Sequence, residues 1–204
     1  MARIITIARK MGSGGKTIGK MLSQELGYKY YDKELIKLAS DESGINERFF
    51  ELVDEKIKNP GFFRRKGVYK GALLDPDHPD FTSDGNLFNY QAEIIRQLAD
   101  KEPAIIVGRC ADYILKDRDD VIKVFIYSDE ETAMKNFIDM YGTPEKEARR
   151  IIEKTDKERC EYYLHYTGWD WENAKNYNLC LNTSKMSYEK CVEIIKGYIK
   201  ILDK

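Results

Sequence analysis

Residues 12–17 place three glycines directly before a lysine and a threonine, in the order Gly-Ser-Gly-Gly-Lys-Thr. Glycines let the backbone turn its N–H groups inward toward an anion, and a helix that starts near Thr17 adds the positive end of its dipole. The Lys16 ammonium would then meet the β- and γ-phosphates of a nucleotide, and the Thr17 hydroxyl would hold Mg²⁺. The predicted phosphate-binding residues are Gly12, Ser13, Gly14, Gly15, Lys16 and Thr17.

The neighbours of this loop support a phosphate site. An apolar stretch at 4–8 precedes it, and an amphipathic stretch at 17–26, closed by Gly27, follows it. The full pattern G-x-x-x-x-G-K-[ST] would place its first glycine at position 10, where this chain has Lys10. A flexible glycine turn is the alternative, and the strand, loop and helix context argues against it.

The composition is that of one α/β domain over residues 1–204. Hydrophobic residues make up 42% of the chain and charged residues 34%, and the net charge is −1. Such a balance favours neither a nucleic acid nor a membrane surface as a partner. The chain has no apolar run of about 18 residues and no signal-peptide pattern, so we expect a cytoplasmic protein.

Cysteine and histidine offer little catalytic chemistry in this sequence. The four cysteines are widely spread, without a C-x-x-C or Cys/His metal spacing, which indicates reduced and mostly buried side chains. Two histidines are too few for a nucleophilic or proton-transfer arrangement of any force. These residues are Cys110, Cys160, Cys180 and Cys191, with His78 and His165.

Strand and helix patterns alternate along the chain, which predicts a parallel five-stranded sheet in a three-layer α/β/α fold. Strands are predicted over 4–8, 28–31, 104–107, 121–127 and 179–181. Helices are predicted over 17–26, 33–40, 46–56, 87–101, 130–140, 144–163 and 187–202. Ligands bind at the carboxyl ends of such strands, so we expect residues 12–17, Asp32 and Arg109 to gather along one edge.

Two regions interrupt this alternation. Residues 59–86 form a long irregular connection with a basic start at Arg64, Arg65 and Lys66, so we predict either an acceptor-side insertion or an ordinary surface insertion. The segment 146–159 is dense in charge, and 144–168 is predicted to be a lid that brings cations over phosphates. A solvated helix face is the alternative for this second segment.

These motifs together resemble the cytidylate-kinase-like branch of the P-loop nucleoside monophosphate kinases, over nearly the whole chain. The resemblance rests on 9–16 (RKMGSGGK), 30–36 (YYDKELI), 106–112 (IVGRCAD), 156–159 with 162–163 (DKER and YY), and 177–184 (YNLCLNTS). That branch is also similar in placing a polar or basic residue at the first glycine of the loop pattern. The resemblance implies a P-loop NTPase fold with a helical lid, and ATP and Mg²⁺ as cofactors.

The resemblance also implies roles for individual residues. The loop would hold the donor triphosphate and the metal, Asp32 would lie beside the acceptor and the metal's water shell, and Arg109 would grip the acceptor phosphate. The lid would supply Lys154, Asp156 and Arg159 near the transferring phosphoryl group. The chain departs from cytidylate kinases at Cys110, where they carry an aspartate, and at 152–153, where their lid has an Arg-Asp pair.

Each of these residues also has a structural interpretation. Asp32 could cap the following helix, Arg109 could pair with a carboxylate, and Lys154 and Asp156 could be surface charges. Phosphoryl transfer to a phosphate needs positioning and charge neutralisation rather than a general base, so cationic residues suffice.

Three functions follow from the sequence. We expect an ATP-dependent kinase that phosphorylates a nucleoside monophosphate, with a CMP- or dCMP-like acceptor. The alternatives are a P-loop kinase of a non-nucleotide small molecule and a nucleotide-binding regulatory module without turnover. The sequence leaves the oligomeric state open.

Overall fold

Five short parallel strands form the centre of the molecule. The computed structural model describes residues 3–57 and 71–202. The strands are β1 Ile4–Arg9, β2 Lys29–Tyr31, β3 Ala104–Val107, β4 Val121–Tyr127 and β5 Leu179–Asn182, paired in the order β2-β3-β1-β4-β5. All six residues of β1 and all four of β3 are buried, which is typical of strands covered on both faces.

Eight α-helices and one short 3-10 helix surround the sheet in the described residues. The α-helices are α1 Gly15–Leu26, α2 Glu34–Ser43, α3 Glu47–Val53, α4 Asp84–Lys101, α5 Ala111–Ile114, α6 Glu130–Tyr141, α7 Glu145–Thr167 and α8 Tyr188–Leu202. The 3-10 helix is Ala174–Asn176. Among the helices of the described chain, none has the length and apolar character required to cross a membrane.

The two faces of the sheet bury different sets of side chains. Ile5 and Ile7 of β1 belong to a cluster with residues of α1 and α8, whereas Ile4 belongs to a larger cluster with residues of α2, α4 and α7. Successive side chains of a strand point to opposite faces, so one apolar strand serves both layers. The predicted three-layer α/β/α fold with a parallel five-stranded sheet is therefore confirmed.

The helix α7 belongs to two packing regions. Near its start, Ala148 and Ile152 form a small cluster with residues of α6. Toward its end, Tyr162 and Tyr166 lie in the main core, where the ring of Tyr166 stacks on Phe88 of α4 with centroids 3.9 Å apart. The C-terminal part of α7 is thus anchored in the core, and the N-terminal part packs beside α6, with Met11 also against this small cluster.

The predicted elements are present, with shifted boundaries. Helix α1 begins at Gly15 rather than at 17, because Gly14 adopts a left-handed conformation and serves as its N-cap. Helix α7 continues to Thr167, where Gly168 ends it with a φ of 72°. Helix α5 was not predicted, because a single turn is too short to show a periodic pattern.

The irregular region 59–86 is described only in part. The basic residues Arg64, Arg65 and Lys66 lie outside the described residues. The described remainder, 71–83, is irregular and leads into α4, whose N-cap Ser83 accepts a hydrogen bond from the Asn86 N–H. Its acceptor-side role stays a prediction.

Candidate active site

The loop between β1 and α1 has a backbone that requires glycine at two positions. Gly12 has a φ of 75° and Gly14 a φ of 81°, a region that favours glycine. A Cβ atom at Gly12 would lie 2.5 Å from the Ala133 carbonyl oxygen of α6, and one at Gly14 would overlap the Tyr188 ring of α8. The loop is therefore held tightly between α6 and α8, with its amides at the N-terminus of α1.

A cavity of about 140 Å³ opens beside this loop. Its other wall consists of Asn136, Phe137, Met140 and Tyr141 from α6, with Tyr188. The Asn136 amide donates hydrogen bonds to the Gly12 carbonyl at 2.8 Å and to the Tyr188 hydroxyl at 3.1 Å, which ties this wall to the loop. A glycine loop at a helix N-terminus next to apolar and aromatic side chains suits a nucleotide. Residue types alone did not indicate this wall, although Phe137 and Tyr141 lie one helical turn apart.

Lys16 and Asp32 meet at the carboxyl ends of β1 and β2. The Lys16 Nζ lies 2.6 Å from the Asp32 Oδ2. Burial alone would raise the pKa of Asp32, but Lys16, Arg9 and Arg109 outweigh it and hold the pKa below its ordinary value. Helix α2 has Lys33 as its N-cap, so the Asp32 carboxylate faces the site instead of capping that helix.

Arg109 follows β3 and joins two carboxylates. Its buried guanidinium donates to Asp32 Oδ1 at 3.4 Å and to Asp54 Oδ2 at 3.1 Å. Gly108, Arg109 and Cys110 all have positive φ values, of 76°, 54° and 57°, which turns the chain sharply into α5. Arg109 therefore lies at the expected strand end. It also forms ion pairs with carboxylates, which was the structural interpretation of this residue.

Glu55 is a central acidic residue that the sequence did not reveal. Its carboxylate accepts hydrogen bonds from Arg9 Nη1 at 2.5 Å, from the Arg109 N–H at 3.1 Å and from Arg159 Nε at 3.2 Å. Burial would raise the pKa of Glu55, but the arginines outweigh it and hold that pKa well below its usual range. The neighbouring Asp54 was missed as well, and burial raises its pKa. The only signal was a pair of carboxylates directly before an irregular segment.

Two of the three predicted lid residues lie against the loop. Asp156 Oδ1 accepts a hydrogen bond of 2.7 Å from the Met11 N–H, and Arg159 Nη1 donates one of 3.2 Å to the Arg9 carbonyl. Lys154 lies on the outer face of α7, with 73% of its side chain exposed and its Nζ 3.8 Å from Glu158. In this conformation α7 brings Arg159, but not Lys154, to the site.

A second cavity, of about 170 Å³, opens on the other side of Lys16. It is lined almost entirely by charged side chains, which are Arg9, Lys16, Asp32, Lys33, Asp54, Glu55, Glu158 and Arg159, together with Thr155. Arg9, Lys16 and Arg159 also line the cavity beside the glycine loop. The two cavities therefore meet at these three cations. After the roles proposed for them below, we call the cavity beside the loop the donor cavity and the other one the acceptor cavity.

The residues of the donor cavity fit a magnesium ion that arrives with a nucleotide. Thr17 is only partly buried and lines this cavity next to Lys16. Within 3–57 and 71–202, no group of three His, Cys, Asp or Glu side chains could hold a metal ion by itself. Mg²⁺ is commonly bound through one or two protein oxygens together with phosphates and water, which matches a single threonine hydroxyl at the loop.

The sheet order, the glycine loop and the cations at the strand ends define the protein as a P-loop kinase. The sequence matches the cytidylate kinase-like family over residues 4–185, and the chain belongs to that family. The resemblance seen in the sequence is thus confirmed at the level of the family.

The chain is similar to a relative named cytidylate kinase, and it shares its fold with solved structures. A protein named cytidylate kinase from Thermoplasma volcanium is 24% identical, over 96% of this chain and 90% of its own. An uncharacterized protein from Eubacterium ventriosum is 27% identical, with a TM-score of 0.71 over 97% of this chain and 98% of that one. A shikimate kinase from Bacteroides thetaiotaomicron shares the fold at 13% identity, with a TM-score of 0.54 over 97% of this chain and 98% of its own.

Proposed function

We propose that this protein transfers the γ-phosphoryl group of ATP to a nucleoside monophosphate, with CMP or dCMP as the expected acceptor. The observation that carries the proposal is the continuous contact from Lys16 at the glycine loop, through Asp32, to Arg109 in the strand-end cluster. Lys16 lines both cavities and Asp32 lines the acceptor cavity, and the contact runs along the edge where parallel sheets bind ligands. Membership of the cytidylate kinase-like family and relatives named cytidylate kinase support this acceptor class.

On the donor side, the amides of residues 12–17 bind the phosphates, and Lys16 neutralises charge on the β- and γ-phosphates. Thr17 would hold Mg²⁺, which supplies further charge neutralisation when it is bound with ATP. Phe137 and Tyr141 of α6 form the wall against which the nucleoside packs.

On the acceptor side, Arg109 and Arg159 orient phosphate oxygens, because a guanidinium can bind two oxygens at once. Asp32 positions Lys16, and Asp156 holds the loop through the Met11 N–H. An acceptor phosphate is already an anionic nucleophile, so the site needs no general base. Lys154 takes part only if the N-terminal part of α7 moves farther over the donor.

An assay of ADP release tests this proposal. Wild-type protein with ATP and Mg²⁺ is offered CMP, dCMP, UMP, AMP, GMP and a panel of non-nucleotide alcohols and phosphates. We expect release with CMP or dCMP, its loss in Lys16→Ala, and its retention in Lys20→Ala, an exposed lysine on the same helix. ADP release unchanged by Lys16→Ala would contradict the donor assignment.

A second candidate function is a kinase that acts on a hydroxyl group. Two carboxylates, Asp32 and Asp54, flank Arg109 and neutralise it before any ligand binds. A hydroxyl acceptor needs a base to take its proton, and a carboxylate beside Lys16 is placed to serve. Turnover with an alcohol and none with monophosphates would favour this candidate.

A further inference from the structure

The Glu55 carboxylate lies where two arginine side chains and a backbone N–H converge. Arg9, Arg159 and the Arg109 N–H all donate to it, at 2.5–3.2 Å. Arg9 and Arg159 come from separate parts of the chain, β1 and α7, and both line the donor and the acceptor cavities. The Glu55 carboxylate, which lines the acceptor cavity, is therefore bound to two of the three cations that both cavities share.

The local backbone is shaped to admit this carboxylate. Glu55 has a φ of 52°, a left-handed conformation that is uncommon for a residue other than glycine. Gly108 faces it, and a Cβ atom at Gly108 would overlap the Glu55 carboxylate and the Arg9 guanidinium. Strain of this kind persists only where the surroundings hold it, and it is concentrated at functional sites.

The donors around Glu55 suit a phosphate group better than a carboxylate. Two guanidinium groups and an N–H offer more donors than two carboxylate oxygens use, and the Arg9 Nε is buried with no hydrogen-bond partner in the described residues. Arg9 itself is 4% exposed. Arginine pairs bind the oxygens of tetrahedral phosphates in this way.

We infer that Glu55 is an internal competitor that occupies a phosphate position between Arg9 and Arg159. A substrate phosphate binds there only when the carboxylate leaves, so Glu55 weakens and thereby tunes the affinity of the site for phosphate groups. The proposed function bears only on which substrate supplies that phosphate. The competition itself is measured without turnover, so it is tested separately from the kinase activity.

The test is calorimetric titration of Glu55→Gln with inorganic phosphate. The amide keeps the size of the side chain but removes its charge, so Arg9 and Arg159 lose their shared counterion. We expect phosphate to bind at least about tenfold more tightly than to wild type, the factor equivalent to one hydrogen bond to a charged group. Glu51→Gln, an exposed glutamate on α3, is the matched control and should bind phosphate like wild type.

Two further arms identify the source of the phosphate. If Glu55→Gln gains affinity for CMP alone, the position belongs to the acceptor phosphate. If it gains affinity for a non-hydrolysable ATP analogue alone, the position belongs to the donor. The double variant Glu55→Gln with Arg159→Gln should lose the gain, because Arg159 supplies one of the donors.

A folded Glu55→Gln that binds phosphate no more tightly than wild type would overturn the inference and leave Glu55 as a structural counterion. If that variant does not fold, Glu55→Asp decides instead. It keeps the charge but is one methylene shorter and cannot reach both arginines, so a smaller gain in phosphate affinity is expected. Wild-type affinity in Glu55→Asp would then contradict the inference.

Discussion

The donor cavity lies between the glycine loop and an apolar and aromatic wall of α6, whereas the acceptor cavity is lined almost entirely by charged side chains. The glycine loop is held in shape by contacts with Ala133 and Tyr188 that leave no room for a side chain. The acceptor cavity is shaped by arginines and carboxylates that meet from distant parts of the chain. The donor side is therefore specified by sterics and the acceptor side by charge balance.

This difference predicts which substitutions affect which ligand. A change in backbone freedom at the loop should weaken the binding of the nucleotide donor. A change of charge at the strand ends should affect the binding of the acceptor or the rate of the transfer step. The charge balance also predicts a cost to stability wherever a carboxylate on the acceptor side is buried without a full cationic partner.

The largest expected effect is on the transfer step. Arg159→Ala should lower kcat by about a hundredfold or more while it changes the dissociation constant of ATP little, because the arginine stabilises charge that develops in the transition state. Lys157→Ala, on the exposed face of the same helix, is the control. Steady-state kinetics and ATP titration measure both quantities. Weaker ATP binding without a fall in kcat would indicate a structural ion pair.

A smaller effect concerns the pH dependence of stability at Asp112, a buried residue of α5, the helix that follows Arg109. Burial raises the pKa of Asp112 from the ordinary 3.8 to about 6, although the Tyr163 hydroxyl donates a hydrogen bond to it at 2.6 Å. A raised carboxyl pKa means that the folded state binds more protons than the unfolded state between these two values. This carboxylate therefore lowers stability above about pH 6, and the penalty disappears as the pH falls toward 4.

Asp112→Asn removes this penalty because the amide carries no charge. Its amide oxygen can still accept the hydrogen bond from the Tyr163 hydroxyl. We expect the variant to be more stable than wild type at pH 8 by up to about 3 kcal/mol, with the difference shrinking toward pH 4. Thermal melts across this pH range measure it. A difference that does not vary with pH would contradict the raised pKa of Asp112.

The sequence predicted the fold and the strand, glycine loop and helix arrangement well because both depend on local patterns. Apolar runs, helical periodicity and consecutive glycines lie within short stretches, as in residues 4–17. The same locality placed Asp32 and Arg109 at strand ends, where the structure has them.

The lining of the acceptor cavity was only partly predictable, because its contacts join residues that are far apart in the sequence. Glu55 contacts Arg9 across 46 positions and Arg159 across 104, and no spacing rule connects such residues. The apolar wall of the donor cavity was missed for a similar reason, since Phe137 and Tyr141 read as ordinary residues of an amphipathic helix. Lys154 illustrates the converse, because charge density in α7 does not tell which cation faces inward, and it is Arg159 rather than Lys154 that does.

The measurement that tests the two-sided account most directly is one calorimetric series with a non-hydrolysable ATP analogue and with CMP. Gly14→Ala should weaken the binding of the ATP analogue by about tenfold or more, because the added Cβ overlaps Tyr188. The affinity for CMP should not change. Gly27→Ala is the control, because its φ of 69° lies in the same left-handed region as the 81° of Gly14 but nothing lies within 4 Å of the new atom.

In the same series, Arg109→Lys keeps the positive charge but loses the two-pronged donor. This variant should weaken the binding of CMP by about tenfold and leave the affinity for the ATP analogue unchanged. The account predicts this crossed pattern, in which each variant affects one ligand. Equal losses for both ligands in either variant, or unchanged CMP binding in Arg109→Lys, would contradict it.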